Sequence, residues 1–99
     1  MNIKLINRGE VGELLLEGRL DSLTAPEAEE VFNQTAERFD KVILNMMDLE
    51  YVSSAGLRTL KRLHMAMKKK EGSLVLTNVR KMVMEVFEMT GFAGLLKFE

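Results

Sequence analysis

The chain has 99 residues, a formal net charge of −1 and no cysteine. Disulfides, thiolate catalysis and cysteine metal sites are thereby excluded, and a nucleic-acid binder, normally basic overall or along one stripe, is disfavoured. A domain of this length buries roughly 60–65% of its unfolded surface, enough for one modest core without staples.

From the N-terminus, "MNIKLINRGEV" has no apolar stretch resembling a signal peptide, and polar residues interrupt every later hydrophobic run before it could span a bilayer. A cytoplasmic protein without membrane insertion is expected. Ile3, Leu5 and then "VGELLLEG" (11–18) read as two strands separated by the turn signal "NRGE". The leucines at 14–16 predict a strand buried on both faces. Thr24 reads as an N-cap, with Glu27 completing a capping box and Pro26 in the first turn. Ala25, Ala28, Phe32, Ala36 and Phe39 then recur at three- and four-residue spacing, one face of a helix of about four turns.

"KVILNM" (41–46) is short, apolar and β-branched, and reads as a central strand. "MDLEYVSS" after it reads as a polar loop. A second helix is expected from about 55 to 70, with Leu57, Leu60, His64 and Met67 on its inner stripe, Leu63 at its edge and Gly72 as its C′ residue. "SLVLT" (73–77) is another short strand. Met82, Val83, Val86, Phe87 and Thr90 mark a third helix ended by Gly91, and "LLKFE" a last strand. The order β-β-α-β-α-β-α-β predicts a single α/β domain over 1–99. Its sheet is mixed and mostly parallel, with an N-terminal antiparallel strand pair and helices packed against it.

In such sheets functional sites collect beyond the carboxyl ends of the strands. The longest strand-to-helix connection on this reading is "MDLEYVSSAG", with Ser54 at the N-cap of the second helix. Two readings of Ser54 stand side by side. It is a helix cap, with Gly56 a close-packing residue; or it accepts a phosphoryl group, whose charge the unpaired N–H groups of a helix N-terminus favour. Asp48, Glu50 and Asp21 would then surround it with further negative charge. Arg58, one turn on, is placed to pair with a partner's carboxylate or with a phosphoserine.

"DLEYVSSAGLRTL" resembles the signature of the STAS domain, the fold of bacterial anti-sigma factor antagonists, whose pattern there is typically Asp-Ser-Ser/Thr-Gly-Leu. "LEGRLDSLTAPE" (15–27) is similar to the stretch before that family's first helix, and "VMEVFEMTGFAGLLKF" (83–98) to its closing helix and strand. The resemblance implies that Ser54 is the phosphoacceptor; Asp21, Ser53, Ala55 and Gly56 around it, together with Arg58 from its place one turn on, are the expected partner-binding surface. It departs from the pattern at two positions, where Ser53 replaces the motif aspartate and Ala55 the second hydroxyl residue. Asp21 matches the acidic residue of the family's first loop. The resemblance further implies a switch: the unmodified protein binds an anti-sigma factor that is also a serine kinase, phosphorylation breaks the complex, and a serine phosphatase resets it. ATP and metal belong to those partners, so no cofactor is expected on this chain.

The alternative is a STAS scaffold subunit of a signalling or transporter complex that is never phosphorylated, which the change at Ser53 favours. Nucleotide sensing near Ser54 is a third class, but no glycine-rich cradle accompanies it. No nucleophile with a paired base, credible carboxylate pair or metal-ligand set appears, so a non-enzyme is expected. His64, the only histidine, reads as packing, and "KRLHMAMKKK" (61–70) as a solvated helix face whose lysines complement the helix dipole.

Overall fold

Alternating apolar residues at Ile3, Leu5, Leu14 and Leu16 build a hairpin whose inward positions pair directly, Leu5 opposite Leu14 and Ile3 opposite Leu16. The computed structural model, which describes residues 1–99, extends this hairpin into a five-stranded sheet. Its elements are β1 (Asn2–Arg8), β2 (Val11–Leu20), α1 (Ala25–Arg38), β3 (Lys41–Val52), α2 (Ser54–Lys69), β4 (Ser73–Thr77), α3 (Lys81–Thr90), α4 (Phe92–Leu95) and β5 (Lys97–Phe98). Strand order is sequential, β1 to β5; β1 and β2 are antiparallel and every later pair is parallel.

Sequential order has a steric consequence. Right-handed crossovers between successive parallel neighbours deliver each helix to the same face of the sheet. Burial follows suit. Leu14, Leu16, Val42, Leu44, Leu74 and Leu76 form one core with Phe32 of α1, Leu60 and Leu63 of α2, and Phe87 of α3. The residues between them point the other way, and there Leu15, Ile43 and Asn45 are only half-buried, although Val75 is buried. The expectation of a strand covered on both faces therefore fails at Leu15, because no helix lies on that side.

β3 is twice the length expected for it. The stretch "MDLEYV" continues the strand, paired to β2 through Glu17–Asp48, Gly18–Leu49, Arg19–Tyr51 and Leu20–Val52. Two register shifts, between Leu15 and Glu17 and between Gly18 and Arg19, each give β3 one residue more than β2. Such bulges turn the inward spacing from two residues to three, so Met46, Leu49 and Val52 are buried with exposed pairs between them.

α1 buries the predicted stripe of Ala25, Ala28, Phe32 and Ala36. The capping box does not form: Thr24 is the N-cap without a side-chain cap bond, its hydroxyl donating instead to the Arg19 carbonyl at 2.7 Å. In α2 it is Leu63 that is buried, with Leu57, Leu60 and Met67, whereas His64 is half-exposed at the edge. α2 ends through a left-handed Glu71 (φ 61°) rather than Gly72. Gly72 matters for another reason: a Cβ there would stand 2.5 Å from the Asp40 carbonyl oxygen. α3 buries Val83 and Phe87, leaves Met82 exposed, and stops at left-handed Gly91 (φ 83°) as its sequence predicts. Met84, off the apolar stripe in sequence, packs in part against the core.

Candidate functional site at the N-terminus of helix α2

The carboxyl ends of β2 and β3 lie side by side, and Ser53 joins them by donating its N–H to the Leu20 carbonyl at 2.9 Å. Only this residue separates β3 from α2, so the polar loop expected there is reduced to a single position. Ser53, not Ser54, is the N-cap: its extended backbone starts the helix, its hydroxyl accepts from the Gly56 N–H at 3.4 Å, and its carbonyl accepts from the Leu57 N–H at 2.8 Å. The shift of one residue changes what Ser54 is free to do. Ser54 is the first residue of α2, exposed, and its hydroxyl engages no protein group. The N–H groups of Ser54 and Ala55 are left without intrahelical acceptors, as at any helix start.

Gly56 is buried where α2 meets the sheet. An added Cβ would lie 2.6 Å from the Leu20 carbonyl oxygen and 2.9 Å from Val52 Cγ2. It therefore seats the helix and presents no surface of its own. Ala55 is half-buried and Arg58 exposed, the latter on the same helix face as Ser54 one turn away. Ala55 and Arg58 line a shallow depression between α1 and α2 with Ser22, Glu29 and Arg62. Across it Arg62 donates to Glu29 at 2.9 Å, tying the two helices together. Arg58 takes part in none of the ion pairs.

Asp21 opens the β2–α1 connection immediately after Leu20, the residue that holds Ser53. Its carboxylate accepts from the N–H of Leu23 at 3.0 Å and of Thr24 at 3.2 Å, with Arg19 Nε 3.8 Å away. Partial desolvation pushes its pKa up, but the N–H donors of Thr24 and Leu23, the Thr24 hydroxyl and the Arg19 charge outweigh it and hold the carboxyl below its ordinary value. Asp21 is thus committed to its own loop. Arg19 also lies over the Tyr51 ring, 4.3 Å from its centroid. Neither Arg19 nor Tyr51 stands out in the sequence, because their pairing depends on the bulged register of β2 and β3.

Asp48 and Glu50 do not gather at Ser54 as expected. They belong to an extended strand, and at ~3.3 Å per residue Asp48 lies roughly 15–20 Å back along it.

Residues 2–99 match the STAS domain. The chain belongs to the STAS domain family. Among its relatives is BtrV of Bordetella bronchiseptica, named as a candidate anti-sigma factor antagonist, which is 35% identical over 81 residues covering 81% of this chain and 70% of BtrV. Solved structures share the fold of this STAS domain. An anti-sigma factor antagonist domain protein from Planctomyces limnophilus superposes with a TM-score of 0.87 at 18% identity, covering 97% of this chain and 87% of its own. The anti-sigma factor antagonist SpoIIAA of Bacillus, in its phosphorylated form, gives 0.77 at 17% identity, covering 99% and 91%. Its unphosphorylated form gives the same 0.77. No helix of the chain is long and apolar enough to cross a membrane.

Proposed function

We propose that this STAS domain is an anti-sigma factor antagonist that binds an anti-sigma factor with serine kinase activity when unmodified and is released by phosphorylation of Ser54. The observation that carries the reading is the division of labour between two adjacent serines. Ser53 holds the cap, so Ser54 keeps an exposed, unbonded hydroxyl on a helix start. A phosphoryl group there would gain roughly −1.5 to −2 charges, facing the free N–H groups of the first turn and the positive end of the helix dipole. Arg58, unpaired one turn on, supplies a further cation. The fold therefore tolerates the modification, while a partner docked on Asp21, Ala55 and Arg58 meets new bulk and charge. A serine phosphatase would restore the binding form. ATP and its metal stay with the partners, and this chain performs no catalysis.

A second reading has its own observation. Ser53 leaves no carboxylate next to Ser54, and the nearest substitute, Asp21, is spent on Leu23 and Thr24. A kinase would receive no help from this chain in orienting the hydroxyl, as befits a scaffold subunit that is never phosphorylated.

Intact-mass spectrometry separates the two, with wild type, Ser53→Ala and Ser54→Ala incubated with ATP and candidate kinases. One added phosphoryl group that disappears only in Ser54→Ala is expected. In parallel, Ser54→Asp should weaken the complex by at least about tenfold, ~1.4 kcal/mol, with the far-ultraviolet circular dichroism unchanged. No addition by a kinase active on another substrate, with the complex still forming, would instead establish the scaffold.

A further inference from the structure

At the far end of α2, about ten residues and some 15 Å from Ser54 along the helix, lies a groove of ≈ 330 Å³ between α2, the start of β4, and the α4–β5 segment. Its floor is apolar: Met67 and Leu74 are buried, and Leu95 is 38% exposed beside them. Its rim carries His64, Lys68 and Lys97, and no carboxylate lines it. Both lysines are exposed, and neither appears in an ion pair of the molecule. Lys70, by contrast, turns away to the Ala36 and Phe39 carbonyls and Asp40 on the other side of the helix.

Complementing the helix dipole explains Lys68 but not Lys97, which comes from β5. In a chain of net charge −1, three nitrogen-bearing side chains from two elements line one cleft together with three apolar ones, and no acid lines it with them. We infer that this groove binds a small anionic amphiphile: a carboxylate or phosphate head held by Lys68, Lys97 and His64, with a short hydrocarbon tail on Met67, Leu74 and Leu95. The volume falls at the lower end of small-molecule sites, which suits a head group with one short chain. Each lysine would supply a charge-assisted hydrogen bond to the head group. The inference does not depend on Ser54 or its phosphorylation.

His64 is the only histidine, so its imidazole resonances report on the groove without ambiguity. The test is an NMR titration of the intact chain, following His64 and the Met67, Leu74 and Leu95 methyls. The probes are sodium octanoate, octyl phosphate, inorganic phosphate and 1-octanol, each kept below micelle formation. Saturable one-to-one shifts at these four residues are expected with octanoate, octyl phosphate or both, and which of the two binds identifies the head group. Lys68→Glu and Lys97→Glu should each weaken binding about tenfold, the loss expected for one hydrogen bond to a charge. Because both side chains are exposed, both variants should stay folded; Lys97→Glu should keep the wild-type melting temperature, and Lys68→Glu should lose only the few degrees that a reversed charge in the last turn of α2 costs. The inference is overturned if neither amphiphile gives saturable shifts there, if octanol or inorganic phosphate binds as tightly, or if both variants retain full affinity.

Discussion

Ser53 and Ser54 are adjacent, yet only Ser53 has both its N–H and its hydroxyl bonded within the protein. The N-cap position is set by where β3 stops pairing with β2, and the Leu20 carbonyl fixes that point at Ser53. A sequence offering two adjacent serines before a helix cannot distinguish them, since either hydroxyl can cap. Asp21 shows the same dependence on context. In sequence it is an acid near the proposed switch; in the fold its carboxylate organises the β2–α1 turn. Its pKa lies below the ordinary value of 3.8 in the folded state, so the sign of its contribution is fixed. The ionised form is favoured by folding, and the stabilisation is fully present above the unfolded value and lost as pH falls through the lower folded value. Asp21→Asn should therefore melt at a lower temperature than wild type at neutral pH, and the gap should close in strong acid, below the normal carboxylate range. A gap that persists unchanged there would show that the side chain acts by shape and not by charge.

Helix α2 shows what an element needs beyond its own periodicity. Its apolar stripe at Leu57, Leu60 and Met67 is plain in the sequence, yet the spacing places His64 on that stripe and Leu63 at its edge. Leu63 faces the core and His64 the groove edge. The stripe is wide, and only the sheet decides which flank is covered. Its approach to that sheet is set by Gly56, which lets the first turn touch the ends of β2 and β3. Gly56→Ala should cost roughly 1–3 kcal/mol, the usual range for overpacking, because the atom it meets at 2.6 Å is the Leu20 backbone oxygen and cannot rotate away. Chemical denaturation measures this directly. A variant as stable as wild type would mean that the end of β2 moves easily, and Ser54 with it. β3 carries the converse lesson. Its second half reads as loop because two bulges break the two-residue alternation, leaving Met46, Leu49 and Val52 three apart.

For the whole molecule, sequential strand order is the controlling fact. It places every helix on one face and leaves the other to a polar chain crossing the strands: Arg8 to Glu13 at 2.9 Å, Asn45 to Glu13 at 3.2 Å, and Asn78 to Asn45 at 3.1 Å. The three consecutive leucines of β2 then have unequal value. Leu16→Ala should destabilise by about 2–5 kcal/mol, as for other buried leucines, whereas Leu15→Ala should cost under about 1.5 kcal/mol, since its side chain already meets solvent. Equal losses in urea unfolding would place cover over the open face, for instance a second copy of the chain.

The residues alone determined the order of elements apart from the short α4, the antiparallel opening pair, the stripe of α1, the stop at Gly91, and a hydroxyl-bearing helix start after the central strand. These follow from interactions within a few residues: apolar period, turn chemistry and capping. They also carried the STAS resemblance, which the match over residues 2–99 upholds. The tertiary structure decided the one-sided sheet, the bulged extension of β3, the choice of Ser53 as cap, the commitment of Asp21, and the cationic groove at His64, Lys68 and Lys97. Each of these depends on which strands lie next to one another and in what register. That is settled by burial of the common core and by backbone hydrogen bonds between distant segments, and no local window of the chain contains it.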